Sequence, residues 1–161
     1  MSFGFGVGDF LTVSKLAWTV YKSCKDSVGD FQNISGEVSS LHIVLKETED
    51  LTAECRHNMD TEREAHLLQI GNGCHDVLKE LESLLTKYDS LGTQTQRTWD
   101  RMRWGVEDIA SIRLRLISNT GMLTAFNASI TRYAYHPSDN FATTTDKIWL
   151  EAPHKHDLSR N

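Results

Sequence analysis

TEREAHLLQIGNGCHDVLKELESLLTKYD, residues Thr61 to Asp89, is the stretch that decides the fold. Its apolar positions Leu67, Ile70, Cys74, Val77, Leu81, Leu84 and Tyr88 fall alternately three and four residues apart. That spacing keeps one stripe of a helix facing a partner for about three heptads. A stripe of this kind needs a second apolar surface to cover it, so the rest of the chain is expected to supply matching helices. Thr61 and Glu64 head the stretch in capping-box spacing, each able to accept a backbone N–H, and Ser90-Leu91-Gly92-Thr93 forms the turn after it.

Upstream, Ile34, Val38, Leu41, Leu45, Thr48 and Leu51 repeat the pattern, giving a second helix over about Phe31 to Cys55. Before that, Phe10, Val13, Leu16, Ala17, Val20, Tyr21 and Cys24 mark a first helix over about Asp9 to Ser27, with Asp9 as its cap and Gly29 as its stop. Downstream, a fourth helix begins near Gln94 to Thr98. It runs through Trp99, Met102, Val106, Ile109, Ile112, Leu116, Leu123, Phe126 and Ile130, with Gly105 and Gly121 as the points where it would bend or split. Pro137 and Pro153 are the two prolines, so nothing in the first 136 residues forbids long helices. The expected architecture is all-α: an antiparallel four-helix bundle over residues 9–134. It is preceded by an apolar, glycine-rich segment, 1–8, and followed by a flexible C-terminal tail or linker, 135–161, whose apolar cluster is Ile148, Trp149 and Leu150.

The 161 residues fit one core. Net charge is −5, unevenly spread: +1 over 1–28, −7 over 29–88, +2 over 89–134 and −1 over the last 27 residues. A basic footprint for nucleic acid is missing, and the aromatics are not interleaved with Lys and Arg as a stacking platform requires. Cys24, Cys55 and Cys74 are odd in number and form no CxxC pair. This argues against a disulfide framework and for a reducing, cytoplasmic setting. Residues 1–8 lack the basic start of a signal peptide.

The sequence contains no P-loop, strand-borne GxGxxG, HExxH or GxSxG, and the expectation is a protein that is not an enzyme and takes no cofactor. Cys74-His75, His66 and Cys55-His57 are the best candidate metal ligands. Cys74 lies in the seam, however, and His75 points about 100° away from it, so a buried structural thiol is the better account and no metal is expected. His154 and His156 read as isolated tail histidines, and Glu80/Glu82 and Glu47/Glu49/Asp50 as solvated helix faces. Arg97, Arg101 and Arg103, with Arg113 and Arg115 further on, could hold an anionic headgroup. The acidic span 29–88 makes charge pairing inside the bundle the favoured use.

The N-terminus is the exception to this plain pattern. Over residues 3–21, eleven of nineteen are apolar or aromatic, and Asp9 and Lys15 are the charges. Those interruptions make a poor constitutive membrane span while leaving a conditional membrane segment open beside an ordinary packed first helix.

The opening Met1-Ser2-Phe3-Gly4-Phe5-Gly6-Val7-Gly8-Asp9-Phe10, with Ala17-Trp18-Thr19-Val20-Tyr21-Lys22, resembles the start of the HeLo-like N-terminal domains of fungal STAND (NLR-like) proteins. Ile34-Ser35-Gly36-Glu37-Val38-Ser39-Ser40-Leu41 and Trp104-Gly105-Val106-Glu107-Asp108-Ile109-Ala110, followed by Arg113 and Leu116, agree in order and spacing, so the resemblance covers residues 3–133. It implies a helical bundle with its N-terminal stretch at the business end, acting in heterokaryon incompatibility or immune-type programmed cell death. Family members usually precede a NACHT or NB-ARC nucleotide-binding domain or carry an amyloid signalling motif. This chain has none of the first and no clear example of the second, and so is expected to be either a domain of a longer receptor or a short stand-alone relative.

The resulting expectation is a membrane-targeting effector domain that is cytoplasmic at rest and relocates to the plasma membrane. Clustering by an upstream receptor or a fused nucleotide-binding domain would make it a homo-oligomer. Phe3, Phe5, Val7, Phe10, Leu11, Val13, Leu16 and Trp18 would enter the membrane, and Lys15, Lys22 and Lys25 would meet anionic headgroups. The alternative is a soluble adaptor or self-association bundle with no membrane activity.

Overall fold

The computed structural model describes residues 10–55, 59–90 and 103–135, with side chains through 89 and, in the last helix, from 109 to 132. Four helices account for nearly all of them: α1 Phe10–Asp26, α2 Asp30–Cys55, α3 Thr61–Ser90 and α4 Arg103–Tyr135, with no strand among the described residues. The expected bounds hold to within one residue at both ends of α1, at both ends of α2 and at the start of α3. The capping roles expected of Asp9, and the helical residues expected before Arg103, lie outside the described residues. α4 runs through both Gly105 and Gly121 as a single helix and is not split.

The turn between α1 and α2 is built on Gly29, whose φ of 64° is a left-handed conformation that an L side chain adopts only with strain. The Ser27 N–H closes α1 on the Cys24 carbonyl at 3.2 Å, and the Gly29 carbonyl accepts the Asn33 N–H at 3.1 Å to open α2. Asp30 in the first turn then faces the positive end of the α2 dipole.

At the start of α3 the cap is Asp60, one residue ahead of the expected Thr61. Asp60 Oδ1 accepts the Arg63 N–H at 2.8 Å, and its carbonyl accepts the Glu64 N–H at 3.0 Å. Thr61 and Glu64 therefore do not form a capping box, because a carboxylate at the position before Thr61 already takes the orphan N–H and adds charge at the helix N-terminus. Asp60→Ala is expected to lower stability by about 1 kcal/mol in urea denaturation, whereas Thr61→Ala should leave it within about 0.5 kcal/mol of wild type.

The helices alternate in direction along the chain. Around the bundle, however, the neighbours run in the order α1, α2, α4, α3, so α1 stands diagonally from α4 and α2 from α3. Pairings along each interface fix the directions. Glu37 meets Arg113 and Thr48 meets Asn127, so α2 and α4 lie side by side and parallel. Glu80 meets Arg115 and His66 meets Phe126, so α3 and α4 are antiparallel.

The core draws on every helix: Phe10, Val13, Ala17, Val20 and Cys24; Phe31, Ile34, Val38, Leu41 and Leu45; Leu67 to Leu85; and Ile109 to Ile130. The α3 stripe is wider than the seven-residue seam, since Leu78 and Leu85 are also buried while Leu84 and Tyr88 are half-buried. A helix flanked by two neighbours needs the broader face. On α2, Thr52 is buried in place of Leu51, its hydroxyl turned back onto the Thr48 carbonyl at 2.8 Å.

Candidate functional site

α1 separates two kinds of surface. Its inner face, Phe10, Val13, Ala17, Val20 and Cys24, is at most 1% exposed. The Phe10 ring lies so close to the α3 backbone that a Cβ on Gly71 would meet its Cζ at 3.0 Å. Its outer face carries Leu11 and Trp18, each over 40% exposed, among the exposed Lys15, Lys22 and Lys25.

That outer face is organised around aromatic rings. Trp18 packs against Tyr21 at 5.4 Å and against His42 of α2 at 5.3 Å between ring centroids. The Lys22 ammonium sits 5.2 Å over Trp18, and that of Lys25 sits 5.9 Å over Tyr21. At exposed positions such contacts contribute about 0.5–1 kcal/mol each, enough to hold an ammonium beside a ring. Burial, and then the Lys46 charge, push the His42 pKa below its ordinary value, so the ring is neutral beside Trp18 at pH 7. Lys46 is engaged by Glu49 at 3.1 Å. An amphipathic ring with a cation over its face is the chemistry found where a protein meets a headgroup layer.

The structure divides the expected membrane residues. Leu11 and Trp18 face outward, Leu16 is half-buried against the core, and Phe10 and Val13 are sealed inside. Phe3, Phe5 and Val7 lie outside the described residues. Lys15, Lys22 and Lys25 are all exposed. Burying a Phe or Val side chain contributes roughly 1.5–3 kcal/mol, so releasing Phe10, Val13 and Val20 together costs between about 5 and 9 kcal/mol. None of the described helices is long and apolar enough to cross a membrane.

The other candidates resolve simply. Cys74 is fully buried, and burial pushes its thiol up to about 12, as it does that of Cys24. No group of metal-ligating side chains occurs among the described residues. Arg113 pairs with Glu37 of α2 at 2.8 Å and Arg115 with Glu80 of α3, so these two arginines serve the bundle as expected from the acidic span. Arg97 and Arg101 lie outside the described residues.

Two features escaped the sequence pattern. Asn119 and Asn127 of α4 are buried at core positions, and the Thr48 hydroxyl reaches both the Val44 carbonyl, at 2.8 Å, and Asn127 Oδ1, at 3.0 Å. The second is an exposed apolar row on α4, at Leu114, Ile117 and Met122. Its signal was present in the sequence, since residues 117–131 contain no charged side chain. No family model matches this chain, and neither a curated protein nor a solved structure matches it.

Proposed function

We propose that the chain is a non-enzymatic cell-death effector domain of an NLR-like system. Clustering by a receptor drives it to an anionic membrane surface, where it acts through its N-terminal apolar segment. The observation that carries this is the division of α1 into a hidden apolar face and an exposed aromatic and cationic face, directly following the phenylalanine and glycine segment that resembles the HeLo-like opening. The outer face, with Trp18, Lys22 and Lys25, touches headgroups first, each lysine contributing on the order of 1 kcal/mol near an anionic surface. Release of the inner face is rare in the isolated bundle, given its cost, and avidity among clustered copies shifts the balance toward the lipid-bound state. Asp9 is costly in lipid unless it faces a water-filled interior, which favours an oligomer over a lone inserted helix.

One observation favours a second reading, a soluble self-association or adaptor module: Phe10 is sealed in the core while an apolar row on α4 is exposed.

The test is dye release from phosphatidylserine-containing liposomes by the full chain fused to an inducible oligomeriser. Clustered wild type is expected to leak, and Phe5→Asp and deletion of residues 2–8 to abolish leakage. Equal leakage from all three removes the N-terminal segment as the agent, and no leakage from clustered wild type removes the membrane reading and leaves the adaptor.

A further inference from the structure

Surface helices normally carry charge on the side away from the core. On α4 that side has none for about four turns, because Ile117 to Thr131 contains no Asp, Glu, Lys, Arg or His. Opposite the buried Leu116, Leu123 and Phe126, this face presents Leu114, Ile117, Gly121, Met122, Ala125 and Ala128, all exposed. Leu114 is 68% and Ile117 54% exposed.

Four hydroxyls along the same stretch are spent on the helix's own backbone. The Thr120 hydroxyl donates to the Leu116 carbonyl, Thr124 to Thr120, Ser129 to Phe126 and Thr131 to Asn127, each at 2.8–2.9 Å. What remains outward, Ser118 apart, is largely apolar side chain and bare helix backbone at Gly121, where an added Cβ would meet nothing within 4 Å. Beside this row, between α2 and α4, lies a hollow of about 430 Å³ lined by Gly36, Glu37, Ser40, Ile117 and Thr120.

We propose that this face of α4, with the hollow beside Ile117, binds a second copy of this chain in an isologous, two-fold pair. The charge distribution selects the partner. Two copies each carrying −5 repel, and they approach at least cost where neither presents charge. Glu37 at the hollow is already paired with Arg113 of its own copy, so the rim demands no foreign cation. Anionic lipid would require basic residues that this stretch lacks. A two-fold axis passing between the exposed row and the hollow sets Leu114 and Met122 of each copy against the hollow of the other. α1 stands diagonally across the bundle from α4, so pairing leaves the Trp18 and Lys22 face of both copies uncovered. The inference rests on the part of the proposed function in which copies associate, and not on the membrane step.

Sedimentation equilibrium of the full chain without lipid tests it. Wild type is expected to dimerise reversibly with a Kd on the order of 10–100 μM. Ile117→Glu and Ala125→Glu, both at exposed positions, should keep the helical circular dichroism and melting temperature while weakening association about tenfold or more. Leu11→Glu, on the outer face of α1, should leave it unchanged. A wild type that stays monomeric to about 1 mM, or a dimer indifferent to both α4 substitutions, overturns the proposal. Failure of the membrane reading shows separately, as lost leakage from a forced oligomer whose dimer contact is intact. Loss of dimerisation with leakage retained under forced clustering supports the α4 contact and confines its role to association.

Discussion

Replacing Phe10 with alanine is expected to lower the folding free energy by about 3–5 kcal/mol, more than any surface change in the protein. Phe10 is fully buried at the first turn of α1 and is among the largest side chains sealed in the core. Its ring occupies the space over Gly71, where an alanine Cβ would stand 3.0 Å from Cζ and 3.2 Å from Cε2. The ring and the missing side chain therefore form one packing unit, and a four-protein cycle should show a change of sign. In wild type, Gly71→Ala forces an enclosed ring to move and is destabilising, because overpacking by about 1–3 kcal/mol outweighs a gain in helix propensity of up to about 1 kcal/mol. In the Phe10→Ala background the ring is gone, and Gly71→Ala should stabilise by about 1 kcal/mol. Urea denaturation of the four proteins measures this, and Phe10→Ala alone should lower the melting temperature by on the order of 10 °C. The same effect of Gly71→Ala in both backgrounds would show that the ring does not rest on that backbone.

The bundle was legible in the sequence because four in-phase stripes need one another. Leu67 to Leu81 on α3 and Ile34 to Leu45 on α2 are buried where the three-four spacing places them. What the spacing did not convey is which helix each stripe meets. Leu78 and Leu85 are buried because α3 touches both α1 and α4, a fact of topology and not of period. The parallel pairing of α2 with α4 is likewise recorded in long-range pairs, Glu37 with Arg113 and Thr48 with Asn127, that no local window contains.

Asn119 and Asn127 escaped notice because a polar residue in a stripe reads as an interruption. In the fold, Asn119 instead fills the space over Gly73, where an added Cβ would meet its Oδ1 at 3.1 Å. The Asp60 cap was missed for a smaller reason: Thr61 and Glu64 also satisfied a capping pattern, one residue late. For the candidate site, the alternation of α1 identified Phe10 and Val13 as apolar but not which way they face. A helix that first hides a stripe and later offers it to lipid has the same sequence as one that only hides it. The outer cluster of Trp18, Tyr21, Lys22 and Lys25 was present as residue types, whereas the contact of Trp18 with His42 depends on the α1–α2 pairing.

The cysteines turn this ambiguity into a measurable difference, with the largest expected rate effect in the molecule. Cys24 lies on the hidden face of α1, Cys74 in the middle of the α3 stripe, and Cys55 half-buried at the end of α2. Thiolates are the reactive form, and burial pushes both Cys24 and Cys74 from 9.0 to about 12. A rise of that size leaves a thiolate fraction at pH 8 roughly a thousandfold below that of an unshifted thiol, before steric protection is counted. A maleimide or iodoacetamide probe on the resting chain should therefore modify Cys55 first and Cys24 and Cys74 on a far slower scale, followed by peptide mass spectrometry. Release of α1 uncovers Cys24 completely. Cys74 lies between Gly71, which faces Phe10 of α1, and Gly73, which faces Asn119 of α4, so it keeps part of its cover. Clustering on phosphatidylserine liposomes should then accelerate Cys24 by at least about a hundredfold, with a much smaller change at Cys74 and helical circular dichroism retained. Phe10→Ala should raise the Cys24 rate without any lipid, because it weakens the contact that holds α1 closed. Equal acceleration at Cys24 and Cys74 would mean that the bundle opens as a whole, and an unchanged Cys24 during leakage would mean that α1 stays packed while the membrane is breached by other residues.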